Sequence, residues 1–161
     1  MGEPASKEKE QLISLFSKLY DGYPWIAVNF EDTIMGLDYQ KAFAHPLANC
    51  NSIWELVRHL IEWKKNVMLR LQDRVIKTPE HNYIISVESP GEELWQTTIA
   101  EWRAVNGEWL EFLKYYDFGK LDAVYPNNNM TYFEHIHGVL QHEAYHLGQM
   151  VLLAKLAKNS D

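Results

Sequence analysis

"SIWELVRHLIEWKKNVMLRL", residues 52–71, is the stretch on which the fold turns. Ser52 stands three residues before Glu55, the spacing of a capping box, in which each side chain bonds the other residue's backbone N–H. Beyond the cap, Ile53, Leu56, Val57, Leu60, Ile61, Val67, Met68 and Leu71 recur at the three- and four-residue intervals of one helix face. The spacing predicts a helix over residues 52–73. A helix of that length with one apolar side needs other elements to cover it.

Three further segments supply the cover. Upstream, residues 5–20 place Leu12, Ile13, Leu15, Phe16 and Leu19 on a stripe, which "DGYP" ends with Gly22 and Pro24. Downstream, residues 90–114 carry Leu94, Trp95, Ile99, Trp102, Val105, Trp109, Leu110 and Leu113. Ser89 and Glu92 read there as a second box, with Pro90 in the first turn. Residues 131–158 open on Thr131 and Glu134, a third box, and continue with Phe133, Ile136, Leu140, Ala144, Leu147, Val151 and Ala154. Between the first two helices Asn29 and Asp38 each read as the cap of a short helical piece, and His45–Pro46 closes the segment. Residues 74–88, β-branched in places, are expected to be extended. The chain, 1–161, is therefore expected to be one all-α domain, a four-helix bundle. Connections of this length leave the order of the helices open.

Composition narrows the function. The 161 residues, 47% hydrophobic and 13% aromatic, are enough for one domain with a core. A net charge of −7 with scattered lysines and arginines argues against nucleic acid as a partner. No apolar run reaches the roughly 18–20 residues that span a bilayer, so no membrane is expected. The start, "MGEPASKEKEQ", lacks the apolar core of a secretory signal. Gly2 and Ser6 match a myristoylation pattern, and Pro4 disfavours it. The single cysteine, Cys50, offers no intrachain disulfide, which fits a cytoplasmic protein. Abundant aromatics are compatible with a homodimer.

The chemistry sits in "HGVLQHEAYHLGQM", residues 137–150. Residues four apart on a helix lie about 40° from each other, so His142 and His146 share a face and can converge on one ion. His135 falls on the same line, about 110° from the centre of the apolar stripe. The alternative is a structural pair of histidines at a helix seam. The stretch also spells H-E-x-x-H, the signature of zinc proteases. Those enzymes take a third ligand downstream, and after His146 there is no histidine and no carboxylate side chain before Asp161. Gly148 comes one residue too early for the extended form of the motif, and residue 152 is Leu. A protease is not expected, and Glu143, which projects toward the apolar side, is at most a weak catalytic candidate. A third ligand must come from another helix. His59 is the best placed, His45 is weaker, and His81 and His137 read as ordinary histidines.

"SIWELVRHLIEW" together with "VLQHEAYHLGQM" resembles the DinB/YfiT-like superfamily of metal-dependent enzymes, over nearly the whole chain. The resemblance implies a bundle of up-down-down-up order. It also implies a metal site of one histidine from the second long helix and two from the last, here His59, His142 and His146. It assigns no role to Glu62, Trp63, Tyr145 or Gln149. Zinc or nickel is the expected ion, with iron or manganese also able to accept imidazoles. Glu55, Glu62 and Glu143 are near enough in sequence to be considered as acceptors that fix the ring tautomers.

Two classes of function follow. One is a small-molecule enzyme that activates water, as a hydrolase, or a low-molecular-weight thiol, as an S-transferase. Trp25, Trp54, Trp63, Tyr132 and Tyr145 are candidates to line its pocket, against the commoner reading of core aromatics. The other is a non-catalytic stress or interaction protein with a structural ion and a filled shell, for which His135 is a candidate fourth ligand.

Overall fold

The computed structural model describes residues 4–158. Gly2, with the lipidation pattern, and Asp161 lie outside the described residues. The elements are α1 (Pro4–Tyr20), α2 (Phe30–Ile34), α3 (Tyr39–Phe43), α4 (Ile53–Leu71), α5 (Glu92–Tyr115) and α6 (Tyr132–Lys158), with one 3-10 turn at Phe118–Lys120. The expected all-α fold is what the chain adopts, with four long helices and the two short pieces between the first two.

The caps explain where most of these helices begin. The Glu55 amide donates to Ser52 Oγ (3.2 Å) and the Ser52 amide to Glu55 Oε2 (2.7 Å), so both halves of the box are made. At α6 the Thr131 amide donates to Glu134 Oε2 (2.6 Å) and the Glu134 amide to Thr131 Oγ1 (3.1 Å). Asn29 caps α2 and Asp38 caps α3. The box expected at Ser89 does not form. Helix α5 starts two residues later, with Gly91 as its N-cap and no side-chain cap bond. Glu92 and Glu93 in the first turn face the positive end of the helix dipole instead.

The segment 74–88 is not an extended ladder. It holds turns closed by Asn82 N–H to Pro79 O (2.9 Å) and Ile84 N–H to His81 O (2.8 Å). Asn82 and Tyr83 both take left-handed backbone angles, φ 49° and 59°. Asparagine tolerates that region, whereas tyrosine adopts it only when its surroundings hold it. Here Asn66 donates to the Tyr83 hydroxyl (2.6 Å), and the Tyr83 ring stands edge-on to Trp63.

Helix α4 packs against both α5 and α6, while α1 packs against α5 and more lightly against α6. One core cluster joins Leu19 of α1 and Leu147–Ala154 of α6 to the N-terminal halves of α4 and α5. The other joins Leu12 and Phe16 to Val67, Leu71, Trp109, Leu113, Ile136 and Val139. Some apolar positions assigned to the stripes are in fact exposed, among them Leu15, Leu94 and Phe133. On α6 the buried side runs through Val139, Glu143, His146, Met150 and Leu153. It is therefore rotated toward the histidine line, so His135 and His146 are buried rather than set well off the stripe.

Candidate metal centre

Because α4 and α6 are neighbours, a side chain in the N-terminal half of α4 meets side chains near the middle of α6. His59 of α4 and His142 and His146 of α6 are brought together in this way. His142 Nε2 lies 2.9 Å from His59 Nε2 and 3.0 Å from His146 Nε2. The edge of a tetrahedron with arms of 2.0–2.1 Å is about 3.3–3.4 Å, so a small outward movement makes room for an ion. All three ligand atoms lie within 4.8 Å of one another.

The outer ring nitrogens decide which lone pairs point inward. His59 Nδ1 is 2.8 Å from the Asn82 carbonyl, which can only accept, so Nδ1 carries the proton and Nε2 is a bare donor. His146 Nδ1 is 2.7 Å from Gln149 Oε1 and takes the same tautomer. This is the outer-shell pattern of metal-binding histidines. His59 and His146 are buried and His142 half-buried. Burial, reinforced by the His146 ring, holds His59 down at about 4, and burial with both neighbouring rings holds His142 down at about 3. Burial also lowers His146. The trio is thus neutral at pH 7, the state that binds a metal cation. Three neutral imidazoles around one point are close enough to hold an ion.

The family model of the DinB superfamily matches residues 28–150, more than half of the chain. The chain belongs to the DinB superfamily. No curated protein and no solved structure matches it. The match covers all three histidines of this DinB-superfamily chain, the whole of α4 and most of α6 up to Met150.

The other sequence candidates lie elsewhere. Glu143 turns away from the imidazoles into the core, where Oε1 is 2.5 Å from Lys64 Nζ. Glu55 is used by the Ser52 cap and by His45 Nε2 (3.0 Å), and Glu62 by Lys65 (3.2 Å). None of the three glutamates orients a ring of the trio. Their place is taken by Asn82 and Gln149. Gln149 was legible as an i,i+3 neighbour of His146. The Asn82 contact is a backbone carbonyl whose position depends on the 74–88 path, and nothing in the side-chain sequence marks it. His45 is thus occupied by Glu55, His81 accepts from the Tyr83 amide (3.1 Å), and His137 packs on Phe133. His135 is not in the ligand group; its ring lies edge-on to Tyr125, 5.0 Å between centroids.

Beside the trio this DinB-superfamily chain has a cavity of about 490 Å³, with His142, Trp63, Arg70, Asn82 and His135 in its wall. Of the five aromatics considered, Trp63 alone lines it. Its indole N–H donates to Asn82 Oδ1 (3.1 Å) and its ring is 5.8 Å from that of His142. Trp25 and Tyr145 are exposed, while Trp54 and Tyr132 are core residues bonded to Thr98 and Asp73. A larger, more open groove of about 760 Å³ between the ends of α4 and α5 has no histidine in its wall and is not adjacent to this chemistry.

Among the described residues no helix is long and apolar enough to cross a membrane.

Proposed function

We propose that the protein is a metal-dependent small-molecule enzyme, a hydrolase or a thiol-dependent S-transferase, with His59, His142 and His146 as its metal ligands. The observation that carries this reading is the convergence of three Nε2 atoms, two of them with tautomers set by Asn82 and Gln149. A divalent transition metal in such a site, with zinc or nickel the best suited, supplies Lewis acidity that lowers the pKa of a water or a thiol. The chain's own part is structural and electrostatic. Asn82 and Gln149 hold the rings in register. Trp63 and His142 form the wall through which a substrate approaches.

A structural ion is the second reading, and it needs a fourth protein ligand. Among the described residues the group has three members, and His135 is not one of them. An open position beside a cavity supports catalysis. Glu143 has no part in the chemistry proposed, because it is buried against Lys64. We also propose that the protein is cytoplasmic and that its partner is a small molecule, with a homodimer as its assembly.

The test is metal analysis of purified wild-type and His142→Ala proteins after dialysis against trace zinc or nickel. The wild type is expected to retain one equivalent and the variant to lose it, with unchanged helical circular dichroism. A variant that keeps its equivalent rejects the ligand assignment. Parallel assays of hydrolysis and of thiol addition to electrophiles then separate the two reaction classes.

A further inference from the structure

Arg70 lies on α4 beneath the cavity and is buried, with 6% of its surface exposed. Its Nη2 donates to Thr78 Oγ1 (3.0 Å), but its Nε has no partner. None of the ion pairs among the described residues involves it. Its guanidinium stands 5.3 Å from the Trp63 ring and 5.5 Å from the Tyr125 ring. Flat aromatic faces hold the fork in place without neutralising it. A buried cation with an unused donor and no counter-ion is costly unless something else supplies the anion.

His135, a residue of the same cavity wall, carries a second buried polar atom without a partner, Nε2. Burial and the nearby Arg70 charge push this histidine down to about 4, so near pH 7 it is a neutral hydrogen-bonding group. Trp63 links the two ends of the space, touching Arg70 on one side and facing His142 on the other.

We infer that this cavity binds a small molecule through a carboxylate group, with Arg70 as the anchor and the rest of the molecule extending past Trp63 toward His142. The guanidinium fork matches a carboxylate with two parallel donors. A phosphate monoester fits less well. Glu134 is also in the wall, its carboxylate held by the Thr131 amide and hydroxyl, so the wall already carries one negative charge that is not paired with Arg70. In the metal-free protein a single negative charge can be accommodated there, and a dianion has no second cation. The direction of the ligand rests on the metal reading above; the anchor rests on Arg70 alone.

The probe is benzoate, an apolar ring with one carboxylate, measured by titration calorimetry on metal-free and metal-loaded protein. Benzamide and phenyl phosphate serve as comparisons. The metal-free arm removes direct coordination of the carboxylate by the ion. We expect benzoate to bind both forms, and benzamide and phenyl phosphate to bind the metal-free protein at least about tenfold more weakly. Arg70→Lys, which keeps the charge and loses the fork, should weaken benzoate by about tenfold or more, and Arg70→Gln should abolish binding. Circular dichroism checks the fold of both variants. If Arg70→Gln does not fold, Arg70→Lys decides alone. Absence of benzoate binding to metal-free wild type, equal binding by Arg70→Lys, or tighter binding of phenyl phosphate to the metal-free protein overturns the inference. Metal content measured on the same samples keeps the two readings apart. Benzoate binding without metal uptake retains the anchor and rejects the metal site, and the reverse result does the opposite.

Discussion

Two acceptors, a backbone carbonyl and a side-chain amide, determine what His59 and His146 can do. Each accepts a hydrogen bond from an outer ring N–H and leaves the inner nitrogen unprotonated. Burial then keeps the rings neutral well below the ordinary imidazole value of about 6.5. For metal uptake this means that protons compete late. Zinc affinity should stay nearly level as pH falls from 7.5 to about 5.5, because burial lowers all three imidazoles, His59 to about 4 and His142 to about 3. Competition titration against a chelator across that range checks it; a steep fall already beginning near 6.5 would contradict the assignment. For the metal-free protein the sign is opposite to that of a histidine gaining a partner. The folded values of His59, His135 and His142 lie below the unfolded one, so the unfolded chain takes up protons first. Stability present above about 6.5 is therefore lost as pH falls, down to about 4 for His59 and His135 and about 3 for His142. The H-E-x-x-H spelling misleads at this same level of detail. Its glutamate faces away from its histidines, which no count of residues along the motif reveals.

Between elements, the contact that matters most besides the histidines is Lys64 of α4 against Glu143 of α6. Both side chains are almost wholly buried, 2.5 Å apart, and Lys64 also donates to Asn106 of α5 (2.5 Å). Burial lowers Lys64 and raises Glu143, and the partner opposes each shift. Removing one member leaves the other charge without compensation. Lys64→Met should cost about 3–5 kcal/mol, whereas Lys64→Met with Glu143→Leu should recover most of that loss. Urea unfolding of the single and double variants measures the difference, and equal destabilisation by both would show that the pair is not coupled. Helix starts were more legible than this pair. Ser52–Glu55 and Thr131–Glu134 act locally, within one turn, and both boxes form as their spacing says. Ser89–Glu92 has the same spacing and fails, because α5 begins at Glu92 rather than inside the motif. A capping pattern states what can cap, and the packing of Trp95 and Ile99 against α4 states where the helix must start.

Across the whole molecule, the histidines join α4 to α6, and the 74–88 segment clamps the junction through Asn82. Any ion bound there binds the folded chain and not the unfolded one. Zinc at about 100 times its dissociation constant should stabilise the wild type by about 2.7 kcal/mol, and His142→Ala by almost nothing. Thermal unfolding with and without zinc reads this directly, and an equal shift in both proteins would place the ion elsewhere. The amphipathic period, the capping residues and the four-residue spacing of His142 and His146 are local properties, governed by bonds and turns within a few residues. They were sufficient for the all-α class, for four long helices and for two histidines sharing a face. The meeting of His59 with that pair, the burial of Glu143 against Lys64, the Asn82 carbonyl and the uncompensated Arg70 depend on which helices become neighbours. That is settled by how several apolar faces share one core, and the information for it is spread over the whole chain.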